Sequence, residues 1–151
     1  KCREVDIMRV LVQRCSNAKC VVNGKNISEI DNGLMLLVGF TDTDNKDTIL
    51  WMVKKILNLR IFPDENDVMN LSILDVKGSI LSISQFTLYA DTTKGNRPSY
   101  IKAMGGEKAK LLYEYFNKVL SSYVPTKSGV FGADMSITLT NMGPTTIMLE
   151  R

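Results

Sequence analysis

The stretch Leu34-Met35-Leu36-Leu37-Val38-Gly39-Phe40 decides the fold class. A strand with one wet face alternates apolar and polar residues, and this run has no polar residue to turn outward. At seven residues it is far shorter than the ~20 that cross a bilayer as a helix. It therefore reads as a central strand covered on both faces, with further sheet beside it and other layers above and below.

Upstream, residues 8–13 and 19–22 are β-branched-rich, and Asn23-Gly24 is a strong signal for a type I′ hairpin turn into a strand at 26–30. Asp31-Asn32-Gly33 reads as the next turn. Downstream, Asp44 and Asn45 suit the cap of a helix over 46–59, in which Ile49, Leu50, Val53, Ile56 and Leu57 recur at helical spacing. Turns are expected at Pro63-Asp64-Glu65-Asn66 and Lys77-Gly78. Residues 79–88 then alternate Ile80, Ser82 and Ser84 against Leu81, Ile83 and Gln85, the pattern of a strand. After the polar loop Lys94-Gly95-Asn96-Arg97-Pro98-Ser99, a second helix is predicted over 107–121, with Ala109, Leu112, Tyr115, Phe116, Val119 and Leu120 on its apolar side. Residues 134–141 and 146–149, separated by Gly143-Pro144, read as a closing hairpin. Seven or eight strands and two helices predict an α+β fold, a mostly antiparallel sheet closing into a barrel-like core with two main helices.

The 151 residues, 44% of them hydrophobic, suffice for one core, so residues 8–151 are expected to form a single domain. Residues 1–7 read as an upstream extension or an expression remnant. The apolar runs are too short for a membrane span, and no apolar segment follows the charged start, so a soluble, cytoplasmic protein with no membrane partner is expected. Cys2, Cys15 and Cys20 cannot all pair within one chain and show no C-x-x-C spacing, which favours free thiols. A net charge of +3 neither demands nor excludes RNA. The chain has no histidine, which excludes Ser-His and Cys-His nucleophile pairs, a histidine general base and most catalytic zinc sites.

Two segments gather candidate chemistry: Ser84-Gln85-Phe86-Thr87-Leu88 and Asn141-Met142-Gly143-Pro144-Thr145-Thr146. By residue type alone, the first is equally an ordinary strand end whose polar groups satisfy the backbone, and the second an ordinary X-Pro turn.

Together with Met8-Arg9-Val10-Leu11-Val12-Gln13-Arg14, Asn58-Leu59-Arg60-Ile61-Phe62 and Lys94-Gly95-Asn96-Arg97-Pro98, in this order, the two segments resemble the D-aminoacyl-tRNA deacylase family, formerly the D-tyrosyl-tRNA deacylases. The resemblance runs from Met8 to Arg151. It implies a homodimer with the active site at the subunit interface, acting on aminoacyl-tRNA without metal or organic cofactor. It implies that Ser84, Gln85, Phe86 and Thr87 form the catalytic segment, the Phe86 N–H holding the ester carbonyl oxygen and Thr87 having a positioning role. Gly143 and Pro144, joined by a cis bond, would reach the partner's site and exclude an L side chain, and Arg14 would brace them. Exclusion by collision would admit glycine, so glycyl-tRNA mischarged on tRNA(Ala) is an implied second substrate. Phe131 and Met135 match adenosine-contacting positions, with plain core packing as the alternative. Lys94, Arg97 and Lys102 lie where they could meet acceptor-end phosphates, with solvated surface charge as the alternative. Met142 stands where the family commonly has an acid, and Thr145 where it has Val. Ser84 also differs from the related trans Gly-Pro deacylase, which carries Pro-Gln at that point. An aminoacyl ester is already activated, so its hydrolysis needs an oxyanion donor and a held water more than a strong base. The missing histidine is consistent with that chemistry.

Two other readings remain at this level. One is a non-catalytic dimeric module that binds RNA ends or nucleotides through the basic loop. The other is a cysteine enzyme using Cys15 or Cys20, although both sit in apolar, strand-like contexts with no base nearby.

Overall fold

In the computed structural model, which describes residues 7–151, the elements in chain order are β1 (Arg9–Val22), β2 (Lys25–Gly39), α1 (Lys46–Asn58), β3 (Phe62–Pro63), β4 (Met69–Leu71), β5 (Ser79–Ser84), a 3-10 helix (Phe86–Tyr89), α2 (Gly106–Ser121), β6 (Thr126–Ser128) and β7 (Ser136–Glu150). The expectation for residues 1–7 falls, for positions 1–6, outside the described residues, as does Cys2.

The hairpin forms where Asn23 and Gly24 accept positive φ, 50° and 75°, as a type I′ turn requires. From it β1 and β2 run antiparallel, pairing Val22 with Lys25 at one end and Arg9 with Gly39 at the other. The sheet order is β6-β5-β2-β1-β7, antiparallel where β1 meets β2 and β7, parallel where β5 meets β2 and β6. A separate pair, β3 with β4, stands apart.

Several expectations are corrected here. The sheet is open and does not close into a barrel: β6 and β7 lie at opposite margins, and β6, three residues long, offers little to pair with. The predicted turn at Asp31-Asn32-Gly33 lies inside β2. Gly33 is needed there for a different reason, since at φ +153° a Cβ on it would fall 1.7 Å from the Ser79 carbonyl oxygen on β5. The predicted break between residues 13 and 19 is only a kink, with Asn17 at φ 52° and a register shift against β7. The closing hairpin is instead one strand, β7. Its register shifts so that Gln13 pairs with Thr146 and Cys15 with Asn141, leaving Met142, Gly143, Pro144 and Thr145 bulged opposite Arg14. The strand predicted over 79–88 ends at Ser84 and turns into the 3-10 helix.

The apolar run in β2 behaves as its composition demands. Leu34, Leu36 and Val38 face the main core with Val10, Val12 and Ile80, while Met35 faces a second cluster with Cys15, Cys20, Leu81 and Ile83. The helices close the main core through Ile49, Met52, Val53 and Ile56 of α1 and Tyr113, Phe116 and Leu120 of α2. Asn45 caps α1, its side-chain oxygen accepting from the Thr48 N–H at 3.1 Å. Leu50, predicted to face inward, is exposed.

Candidate active site

Where β5 ends, the chain leaves the sheet but stays fastened to it. The Gln85 N–H donates to the Val38 carbonyl at 2.8 Å, continuing the ladder one residue past Ser84. The 3-10 helix follows, and Tyr89 at its end is buried, its hydroxyl donating to the Gly39 carbonyl at 3.1 Å and to that of Ile7. Arg9 holds the same turn, donating to the Leu88 carbonyl at 2.8 Å with its guanidinium 5.0 Å from the Tyr89 ring centre. These anchors leave Phe86 57% exposed at the helix's first position, where backbone N–H groups have no partner within the helix.

Beside this turn lies a cavity of about 510 Å³. Ser84, Gln85 and Phe86 line it, together with Phe131 and Met135 and with Tyr100, Met104 and, from α2, Ala109. Gly39, Ala103, Gly106, Gly132 and Ala133 bring little side-chain bulk to the rest, which leaves the space open. Phe131 is half-buried and packs at 5.9 Å against Tyr113, whose buried hydroxyl donates to the Ser82 carbonyl at 2.6 Å. Met135 is also half-buried and packs on the second cluster. Packing and wall position thus coexist in both residues. Tyr100 and Met104 were not singled out from the sequence, and Ala109 was read only as part of the apolar side of α2. The available signal was Tyr100, an aromatic directly after a polar loop.

Thr87 is not part of the cavity wall. Its hydroxyl accepts from the Gln85 side-chain amide, a partner that cannot act as a base. Arg14, Gly143 and Pro144 also lie outside the walls, on the bulge of β7 and opposite it. The Gly143-Pro144 peptide is cis, and both residues are exposed. Arg14 ties this bulge to the body, donating from Nε to the Met142 carbonyl at 3.1 Å and from Nη1 to the Ile61 carbonyl at 2.6 Å. Inside the bulge, the Thr145 N–H donates to the Asn141 side chain at 2.9 Å, and Ser16 donates to the Met142 sulfur at 3.6 Å.

Cys15 and Cys20 are buried and unpaired, and burial pushes the Cys15 thiol up to about 11 and raises that of Cys20. Neither supplies a thiolate near neutral pH, which removes the cysteine-enzyme reading. Among the described residues no cluster of three or more His, Cys, Asp or Glu side chains could hold a metal, and no helix is long and apolar enough to cross a membrane. Lys94 and Arg97 lie in an exposed loop, while Lys102 is half-buried and its carbonyl accepts from the Thr41 hydroxyl at 2.6 Å.

Comparison with known proteins gives the family. The family model for D-Tyr-tRNA(Tyr) deacylase matches residues 11–150. A D-aminoacyl-tRNA deacylase of Listeria monocytogenes serotype 4a (strain HCC23) is 55% identical over 144 residues, 95% of either chain. One from Listeria innocua serovar 6a is 53% identical over 144 residues, 95% of this chain and 96% of that one. Among solved structures, the c-Myc DNA Unwinding Element Binding Protein superposes with a TM-score of 0.89 at 40% identity, covering 95% of this chain and 98% of its own. A probable eukaryotic D-amino acid tRNA deacylase has the same fold, with a TM-score of 0.83 at 19% identity over 96% of this chain and all of its own. With a family model spanning nearly its whole length and relatives more than half identical, the chain belongs to the D-Tyr-tRNA(Tyr) deacylase family.

Proposed function

We propose that this protein hydrolyses the ester bond of D-aminoacyl-tRNA to free D-amino acid and tRNA, a chirality-proofreading step in translation that takes place in the cytoplasm. The observation that carries the reading is the cavity edged by Ser84, Gln85 and Phe86 and walled by Phe131 and Met135, in a chain that has no histidine and in which the described cysteines, Cys15 and Cys20, are both buried.

The terminal adenosine rests against Phe131 and Met135, bringing the ester to the turn after β5. The Phe86 N–H donates to the carbonyl oxygen as negative charge develops on it, and Ser84 and Gln85 line the pocket that holds the attacking water. Thr87, bonded to the Gln85 amide, keeps that side chain in place. The 2′-hydroxyl of the substrate's own adenosine assists the water. No metal or organic cofactor takes part.

Handedness is read by the Gly143-Pro144 bulge of a second copy, whose main-chain carbonyls approach the substrate α-carbon and collide with an L side chain. Support for a homodimer comes from β7, a 15-residue strand that among the described residues has no partner on its outer edge, since an open edge of this length is a template for association. The bulge is exposed and absent from the walls of its own cavity, as a part donated elsewhere would be. Arg14 holds the bulge in position. Glycine has no side chain to collide, so glycyl-tRNA mischarged on tRNA(Ala) is cleaved as well. Lys94, Arg97 and Lys102 meet phosphates of the acceptor end.

The deciding experiment offers matched D-tyrosyl-tRNA and L-tyrosyl-tRNA to the purified protein. Rapid release of D-tyrosine with negligible release of L-tyrosine is expected, and equal rates would end the reading. Intact D-aminoacyl-tRNA after long incubation, together with tight binding, would favour a non-catalytic RNA-end-binding module.

A further inference from the structure

The cavity's opening carries a feature that cleavage of the ester does not itself use. Of its lining residues Ile83 is 1% exposed and Met104 8%, whereas Phe86 and Tyr100 are 57% and 37% exposed and so stand at its opening, and Ile101, next to Tyr100 in the chain, is 88% exposed. Neighbouring large apolar side chains left in water suit a contact surface. The Phe86 and Tyr100 rings meet edge to face, centroids 4.9 Å apart at 74°, a contact that favours the orientation each holds.

This aromatic ledge adjoins positive charge. Asp91 and Ser99 exchange both backbone hydrogen bonds, at 2.8 and 2.9 Å, closing an exposed loop over residues 92–98 whose base runs directly into Tyr100. Lys94 and Arg97 stand on that loop. A rigid aromatic surface beside flexible cations is the chemistry that grips single-stranded nucleic acid, with base on ring and phosphate near ammonium or guanidinium.

We propose that Tyr100, steadied by Phe86, is the stacking platform for the nucleotide that precedes the terminal adenosine of the tRNA substrate. This rests on the reading of the cavity as the seat of an aminoacyl-adenosine. A chain whose last residue enters the cavity leaves through the mouth, so its penultimate base meets the ledge first. Stacking on a ring face does not depend on base identity, so the contact adds grip and alignment without adding sequence selection.

The test compares kcat/KM on D-tyrosyl-tRNA with kcat/KM on the fragment 3′-O-D-tyrosyl-adenosine, which lacks the penultimate nucleotide. Tyr100→Ala is expected to lower the ratio of the two about tenfold, and Tyr100→Trp to restore it. A D-tyrosyl-tRNA abasic at the penultimate position is expected to lose about tenfold with the native protein and little further with Tyr100→Ala. If the native protein cleaves both substrates but Tyr100→Ala leaves the ratio unchanged, or the native protein is indifferent to the abasic site, the platform is overturned while the hydrolase stands. Failure of the native protein to cleave either substrate would overturn both.

Discussion

The guanidinium of Arg14 bridges two segments that are distant in sequence, donating to the Met142 carbonyl at 3.1 Å and to the Ile61 carbonyl at 2.6 Å. It faces the four-residue bulge alone, because the β1 to β7 pairing steps from Gln13 and Thr146 to Cys15 and Asn141. Arg14→Lys cannot reproduce this fork, since a single ammonium lacks the planar pair of donors. The expected result is a fall of tenfold or more in the ratio of D to L deacylation rates. Unfolding stability should drop by about 1–2 kcal/mol, read from urea titration. An unchanged ratio would separate Arg14 from handedness.

Gly143 sits at φ +120°, where a Cβ would lie 2.6 Å from the Thr145 hydroxyl and 2.9 Å from Arg14 Nη2. Gly143→Ala should therefore displace the bulge at a cost of about 1–3 kcal/mol. The ratio of D-tyrosyl-tRNA to L-tyrosyl-tRNA cleavage is expected to fall more than tenfold while the far-ultraviolet circular dichroism spectrum stays native. An unchanged ratio would show that the carbonyls at 143 and 144 take no part in reading handedness.

Cys15→Ser and Cys20→Ser should each leave kcat/KM within about twofold of the native value, and alkylating reagents at pH 7 should not inactivate the folded protein. Burial keeps both thiols protonated there. Stability should fall by about 1–3 kcal/mol, because each change puts a hydroxyl into an apolar cluster.

Asp44 is buried, and although the Thr41 N–H donates to its carboxylate at 2.8 Å and the Met8 N–H donates as well, desolvation outweighs both and lifts it to about 6. A carboxyl raised in the folded state binds more protons than in the unfolded chain, so its contribution is fully present below about pH 4 and is lost as pH rises through 6. Urea unfolding of the native protein against Asp44→Asn should show the difference shifting by on the order of 2–3 kcal/mol between pH 4 and 7, the native protein losing ground as pH rises. A flat difference would place the carboxyl back in its ordinary range.

Lys94→Ala with Arg97→Ala should weaken tRNA binding and flatten its salt dependence, the slope of log K against log salt falling by about 0.7 to 0.9 for each phosphate that is no longer neutralised. An unchanged slope would return both residues to plain solvated charge.

Much of the fold was legible where one residue pattern has one solution. Residues 34–39, apolar throughout, form the strand covered on both sides that their composition asks for, and Asn23-Gly24 makes the tight turn it signals. Legibility failed where a turn residue served another purpose. Gly33 gives way to a neighbouring backbone, and Gly143-Pro144 makes a bulge within a strand, because long-range pairing with β1 continues on either side of both. In the site, Ser84 to Phe86 were visible as a motif and Phe131 and Met135 by family likeness. Tyr100, Met104 and Ala109 were not, because a wall made of small or apolar groups from a loop and a helix start has no sequence pattern of its own.

The notch left by Gly33 has one more effect. Because the Ser79 carbonyl fills the space where a side chain would stand, β5 is indexed at its first residue, and everything downstream inherits that position. Slippage by a single residue would carry Ser84 about 3.3 Å along the strand and turn it to the other face of the sheet. A missing methyl group thus acts as an end stop, gauging from the far end of the strand where the turn after Ser84 begins.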